Sequence, residues 1–265
     1  MSTVYQKRTE DRTTFIKSVF ERLCIQQEVS GQRILIKPNI VSNEPYPTTT
    51  HPETVETCVE LLRDSGKEIM VADGPAWDAG DSDSVLTEHC LKQCCDKLGV
   101  PLTDLMSRGS RKVKTRSYEL EVAEMAFEYD YIVSLPVLKS HGLGLTGALK
   151  NQFGFVQAED KLRSHRSRDM NLVLAELNEV IRPHLYIVDA VQTMIHTNEV
   201  RHGGQPHPLG YMLAGTDPVS LDVAGLALLQ TVEPKLKGKN LEDVLHLKQA
   251  ASLGVGTATY ELIEV

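Results

Sequence analysis

The apolar positions of this chain alternate between two spacings. Between residues 10 and 29, Phe15, Val19, Phe20 and Leu23 recur at helical intervals, which predicts an amphipathic helix that Gly31 breaks. Arg33-Ile34-Leu35-Ile36 then runs without interruption as a short buried strand ending at Lys37-Pro38-Asn39. A loop rich in Pro and Thr, SNEPYPTTTHP, leads into the next helix at Thr50-His51-Pro52-Glu53. Thr50 or His51 caps it and Pro52 suits its first turn. That helix passes Val59, Leu61 and Leu62 and stops at Gly66, and Glu68 to Ala72 form a second strand ending at Asp73-Gly74-Pro75. Buried strands joined by helices predict parallel pairing with right-handed crossovers.

The same logic predicts helices over 84–98 and 117–128, then a strand from Tyr131 to Leu135 that stops at Pro136, which lacks an amide donor. A helix over 169–181, a strand Leu185–Asp189, a strand Tyr211–Gly215 and an apolar helix over 219–230 follow. The fold class is therefore α/β, a mostly parallel sheet with helices on both faces. We expect residues 1–265 to form a single domain with its core over about 30–230, as one compact unit or two poorly separated lobes.

Chemistry collects where strands end. The five strand ends carry Lys37-Pro38-Asn39, Asp73-Gly74-Pro75, Lys139-Ser140-His141, Asp189-Ala190 and Asp217-Pro218. In open α/β sheets ligands sit beyond the carboxyl ends of the strands, so one polar edge is expected. Asp and Pro also end strands and cap helices for purely local reasons. The loop after Pro136 goes further, with Lys139, Ser140, His141, Gly142, Gly144, Thr146, Gly147, Lys150 and Asn151 in close succession. Its Gly142-x-Gly144-x-x-Gly147 matches a dinucleotide-binding pattern, but the position and the following residues suit a looser phosphate cradle or simply a tight loop. His141, Lys150 and His165 suggest acid–base, nucleophilic or metal-binding chemistry. Asp73, Asp189 and Asp217 are candidates to ligate a metal or to orient a histidine. His202 and His207, in the polar loop RHGGQPHPLG, could line the same edge and fold over a ligand.

Composition narrows the classes. The chain has 265 residues and a formal charge of −8, which argues against a general nucleic-acid or anionic-membrane binder while allowing a local basic pocket. No apolar run of about 18 residues predicts a membrane span, and the polar start MSTVYQKRTEDRTTF does not read as secretory. Five cysteines, an odd count, fit a reducing compartment, so the cytoplasm is the expected location. His89, Cys90, Cys94 and Cys95 read as structural, with iron–sulfur or zinc ligation as the alternative.

Five segments in order, IKPNIVSNEPYPTTTHPETV, VADGP, VSLPVLKSHGLGLTGALKNQFG, LYIVDAV and LAGTDPVSLDVAGL, resemble the domain-of-unknown-function 362 family. Members of that family are often fused to ferredoxin-type domains, which suggests a separate ferredoxin as a partner here, since the chain has no cluster-binding cysteine run. More distantly, the order His141, glycine-rich run, Lys150, His165 is similar to the nickel-pincer lactate racemases. That resemblance implies that Lys150 tethers a pincer nucleotide, His141 is the acid/base and His165 ligates nickel. The chain departs from the racemases in two places: Asp73-Gly74-Pro75-Ala76-Trp77 stands where they have another catalytic histidine, and Lys37-Pro38-Asn39 does not reproduce their Thr-Arg-Pro.

These observations point to an isomerase or oxidoreductase acting on a small anionic or phosphate-bearing ligand at the strand ends. Lys37, Asn39, Thr50, His51, Lys139, Ser140, Gly142, Gly144, Thr146, Gly147 and Asn151 would hold the ligand, with His141 and Lys150 catalytic. His165, Asp73, Asp189 and Asp217 would hold a divalent metal; the residues alone leave the cofactor open. The rival is a non-catalytic carrier or sensor for an anion or metal, and a redox partner of a ferredoxin is a third reading.

Overall fold

Ile34 and Ile36 pack into one layer of the core and Leu35 into another, as successive side chains of a strand covered on both faces must. The computed structural model describes residues 1–29, 31–63 and 65–265. In chain order its elements begin with β1 (Ser2–Arg8), α1 (Arg12–Arg22), α2 (Ile25–Glu28), β2 (Arg33–Lys37), α3 (Pro52–Arg63), β3 (Glu68–Asp73), α4 (Ser82–Glu88) and α5 (Cys90–Leu98). Then come β4 (Leu102–Asp104), β5 (Ser110–Lys114), β6 (Glu119–Ala123), α6 (Met125–Glu128), β7 (Tyr131–Ser134), β8 (Lys139–His141), β9 (Gly144–Thr146) and α7 (Ala148–Asn151). The remainder is α8 (Ala158–Arg166), α9 (Met170–Val180), β10 (Leu185–Ile195), β11 (Gln205–Gly215), α10 (Pro218–Leu229), α11 (Leu245–Ser252) and β12 (Tyr260–Glu264).

Among the described residues the main sheet has eight strands in the order β12-β1-β11-β10-β7-β2-β3-β4. Only the β10–β11 and β11–β1 pairs are antiparallel, so the sheet is mostly parallel and the fold is α/β. One face carries Phe15 of α1, Val55 and Leu62 of α3 and Leu91 of α5. The other is covered in two patches, by α10 and α11 through Leu221, Leu226 and Leu247, and by α9 through Val173, Leu174 and Leu177.

The structure revises several expected elements. The helix expected over 10–29 breaks at Cys24, whose φ of 49° leaves the helical region. The helix over 84–98 breaks at His89, which caps α5 by accepting the Leu91 amide on its ring. Residues 117–128 are mostly not helical: Glu119-Leu120-Glu121-Val122 alternates with period two, buries Leu120 and Val122, and pairs with β5 as a hairpin. The helix expected to reach Gly66 ends at Arg63, with residue 64 outside the described residues. Strands β10 and β11 run well past the predicted segments as the arms of a long hairpin, and β1 and β12 were not expected. Among the described residues, no helix is long and apolar enough to cross a membrane.

Candidate active site

Parallel pairing aligns strand ends. Lys37 of β2 is in register with Ser134 of β7, and β3 beside β2 ends at Asp73. Beyond these ends opens a cavity of about 380 Å³. Its floor is Lys37, Asn39, Asp73, Asn151 and Gly154, and Lys150, Lys161, His141 and His165 stand around it. Thr197, Asn198, Glu199 and His202, from the turn joining β10 to β11, line another side.

The charges of the floor are paired with each other. Lys37 Nζ lies 2.6 Å from Asp73 Oδ1 and 3.1 Å from the Pro38 carbonyl. Asp73 also accepts the Ile40 and Gly74 amides at 2.6 and 2.8 Å. Burial pulls the Lys37 amine below the ordinary lysine range, and Asp73 opposes that pull. Gly154 explains itself here: a Cβ would lie 2.2 Å from Asp73 Oδ1 and 2.7 Å from Lys37 Nζ. Asn151 bridges the floor to β7, donating to Ser134 Oγ at 2.9 Å.

Lys150 is different. Among the described residues, nothing forms a hydrogen bond or ion pair with its amine; the Phe153 ring is the group that its Nζ overlies, at 5.9 Å. Burial pulls its pKa down to about 8, against a weaker opposing pull from Glu199. Lys161 is also lowered to about 8 by burial, but it donates to the Gly74 and Pro75 carbonyls at 2.9 Å each. Lys139, lowered to about 7, turns to a smaller recess and is tied to Asn39 Oδ1 and the Thr48 carbonyl.

Two of the three histidines that line the cavity, His141 and His165, are held in opposite tautomers. His141 Nδ1 accepts the Leu143 amide at 3.0 Å, so the neutral ring carries its proton on Nε2. Burial first, then Lys150, holds its pKa well below the usual value, which keeps the ring neutral. Such a ring offers a donor, and the base role expected of His141 does not fit it. His165 Nδ1 lies 2.8 Å from the Lys161 carbonyl, which can only accept, so the proton sits on Nδ1 and the lone pair on Nε2. His165 is therefore the imidazole able to take a proton or bind a metal.

The glycine-rich segment is not an open phosphate cradle. Residues 139–146 form the tight hairpin β8–β9, with Gly144 at φ 114°. The amides of Ala148 and Leu149, which an anion would need, are given to Asp222 at 2.6 and 3.1 Å. Gly147 is small because a Cβ there would meet Asp222 Oδ1 at 2.2 Å. Asp222 is buried, and that burial raises its carboxyl to about 7. The protein's own carboxylate occupies the place offered to a phosphate, so neither a cradle nor a dinucleotide fingerprint is present at this loop.

Of the predicted residues, Lys37, Asn39, Asp73, His141, Gly142, Lys150, Asn151 and His165 meet at the cavity, and His202 joins them. Lys139, Thr146 and Gly147 line the adjoining recess. Others belong to the scaffold. Thr50 accepts the Asn39 amide and donates to the Leu135 carbonyl, Ser140 bonds Glu233, and Gly144 packs on Val244. His51 stacks edge-on with Tyr46 and accepts the Glu53 amide. Asp189 pairs with Arg12 at 2.7 Å, and Asp217 caps α10. Neither aspartate lines the cavity, and among the described residues no group of three or more His, Cys, Asp or Glu could hold a metal, the His89–Cys95 cluster included. His207 bonds the Pro208 carbonyl away from the cavity. Lys161, Glu199, Trp77 and Phe153 line it without having been singled out; Lys161 lies within α8, far from any strand end, and Glu199 follows the end of β10, which runs past the strand expected from the sequence.

Comparison with known proteins agrees with this architecture. Over 210 residues the chain is 30% identical to a thylakoid-associated protein of Synechocystis sp., covering 76% of this chain and 64% of that protein. It thus spans less than two thirds of that relative's length. Among solved structures, the lactate racemase apoprotein of Thermoanaerobacterium thermosaccharolyticum superposes with a TM-score of 0.56, covering 88% of this chain and 58% of that one. At 11% identity this is a likeness of fold. The family described as domain of unknown function (DUF362) matches residues 34–227, and the chain belongs to it.

Proposed function

We propose that the chain is an enzyme that binds a small anion in this cavity and acts on it as an isomerase or oxidoreductase. One observation carries the reading: Lys150, unpartnered among the described residues, lines the same cavity as a donor histidine and an acceptor histidine. A protonated amine facing a partly enclosed cavity attracts a carboxylate or phosphate. His141 Nε2–H would stabilise charge developing on a ligand oxygen, and His165 Nε2 would take or return the proton.

The racemase likeness raises a nickel-pincer nucleotide as cofactor, and two residues fit it. The Lys150 amine, lowered to about 8, is available for covalent attachment, and His165 Nε2 is free to ligate. A metal here would draw its other ligands from the bound group. Such a group supplies a hydride acceptor. One feature favours the carrier or sensor reading instead: Asp73, where the racemases have a further histidine, is committed to Lys37. The free state of all five cysteines supports a cytoplasmic setting.

The test incubates chelator-free protein with a panel of small 2-hydroxy acids and follows their stereochemistry by chiral chromatography, with intact mass measured alongside. Interconversion that Lys150→Gln and His165→Gln both abolish is expected, and a mass addition on Lys150 would identify the cofactor class. No turnover with anion binding preserved would transfer the site to a carrier or sensor.

A further inference from the structure

We infer that the anion taken by this cavity carries a planar ring, seated against Trp77, Phe153 and His165. The inference rests on the anion-binding reading above and deepens it by naming the body of the ligand. A cavity of about 380 Å³ is in the range of pockets that enclose ring-sized ligands, and a three-carbon acid would leave most of it to water.

The cavity sets amines beside aromatic rings. Lys150 Nζ lies over the Phe153 ring at 5.9 Å, and Lys161 lines the same space. His165 stands between Trp77, at 6.2 Å between centroids, and Phe153, at 5.9 Å. The interplanar angles of 53° and 56° mean that these rings are tilted and do not stack flat on one another.

Trp77 sharpens the case. It is the only tryptophan of the chain and is 36% exposed at the cavity. A large aromatic left about a third in water beside an opening is a site for contact rather than a core residue. It is also held in place: Arg166 lies over its ring at 5.7 Å, and the preceding residue, Ala76, donates to the Val41 carbonyl at 2.9 Å. A planar ring entering here would meet aromatic surface while its carboxylate or phosphate reached the amines. Ring carboxylates and ring phosphate esters share this chemistry.

Trp77 fluorescence reads the test directly, because no other tryptophan contributes. The probes are benzoate, phenyl phosphate, cyclohexanecarboxylate, acetate and inorganic phosphate, with calorimetry as a second readout. Benzoate or phenyl phosphate should bind about tenfold more tightly than cyclohexanecarboxylate, which has benzoate's charge and a bulkier apolar ring but no flat face. Whichever of the two binds better assigns the anionic group. Trp77→Leu, read by calorimetry, should erase that preference, and Trp77→Phe should keep most of it. Cyclohexanecarboxylate binding as tightly as benzoate would overturn the ring inference and leave the anion site standing. Failure of every probe to bind by calorimetry would overturn both.

Discussion

Two charged clusters, one around Asp189 within β10 and one around Lys150 of α7, differ in whether their charges are already spoken for. Around Asp189, Arg12 Nε approaches Oδ2 at 2.7 Å, the Tyr46 hydroxyl donates to Oδ1 at 2.8 Å and the Val191 amide donates to the same oxygen at 3.0 Å. The Arg12 guanidinium also lies over the Tyr46 ring at 4.8 Å. Around Lys150 the chain leaves a cavity-lining amine without a protein partner among the described residues and sets two imidazoles of opposite tautomer around the same space. An amine left unpaired by the fold and open to a cavity contributes little to the scaffold, which marks the second arrangement as the candidate site. The first is scaffold in the dress of an active site.

The comparison can be broken where its effect is largest. Arg12→Ala should cost about 3–5 kcal/mol in urea unfolding, because it strands a buried carboxylate. The surviving folded protein should still bind inorganic phosphate with unchanged affinity; a collapse of binding would place Asp189 in the site after all.

Lys150→Gln should do the opposite. Anion affinity measured by calorimetry should fall by about 1.5–3 kcal/mol, the worth of a charged hydrogen bond, with stability to urea unchanged or raised. Equal losses of stability and affinity would make Lys150 scaffold too.

The smallest effect is the most specific to this amine. With its pKa at about 8, Lys150 is charged below that pH and neutral above it. Reductive methylation followed by peptide mass should reach half its rate near pH 8, before ordinary lysines react, and anion affinity should decline as pH rises through the same value. Between pH 8 and the ordinary lysine pKa of about 10.5 the unfolded chain binds more protons at this residue, so its contribution to stability rises with pH in that window. Labelling that sets in only near pH 10 would show an ordinary exposed amine.

Much of the sheet was legible because central parallel strands are buried on both faces and spell themselves as apolar runs. β2, β3 and β7, and the inner parts of β10 and β11, are of this kind. β1 and β12 were not legible. They are half-exposed strands toward one edge, with Val4 the only fully buried residue of β1, and their sequences carry polar residues throughout. The candidate site was legible to the extent that strand ends deliver it: Lys37, Asp73, His141 and Lys150 follow from the assumed parallel sheet. His165 entered by resemblance and by its chemistry. Asp217 and Asp189 show the limit, since a capping or paired aspartate has the same one-letter context as a ligand. Lys161 and Glu199 reach the cavity from α8 and from the hairpin turn, through contacts that no local pattern announces.

The internal carboxylate of Asp222 has a consequence for how a ligand would be received. Because it already satisfies the amides of Ala148 and Leu149, the short helix that carries Lys150 and Asn151 is held without any guest molecule. The amine thus stands preorganised: an arriving anion need not order the loop, and less of its binding energy is lost to fixing backbone. In kinetic terms such a site should fill in a single encounter step, with no slow phase for loop closure around Lys150.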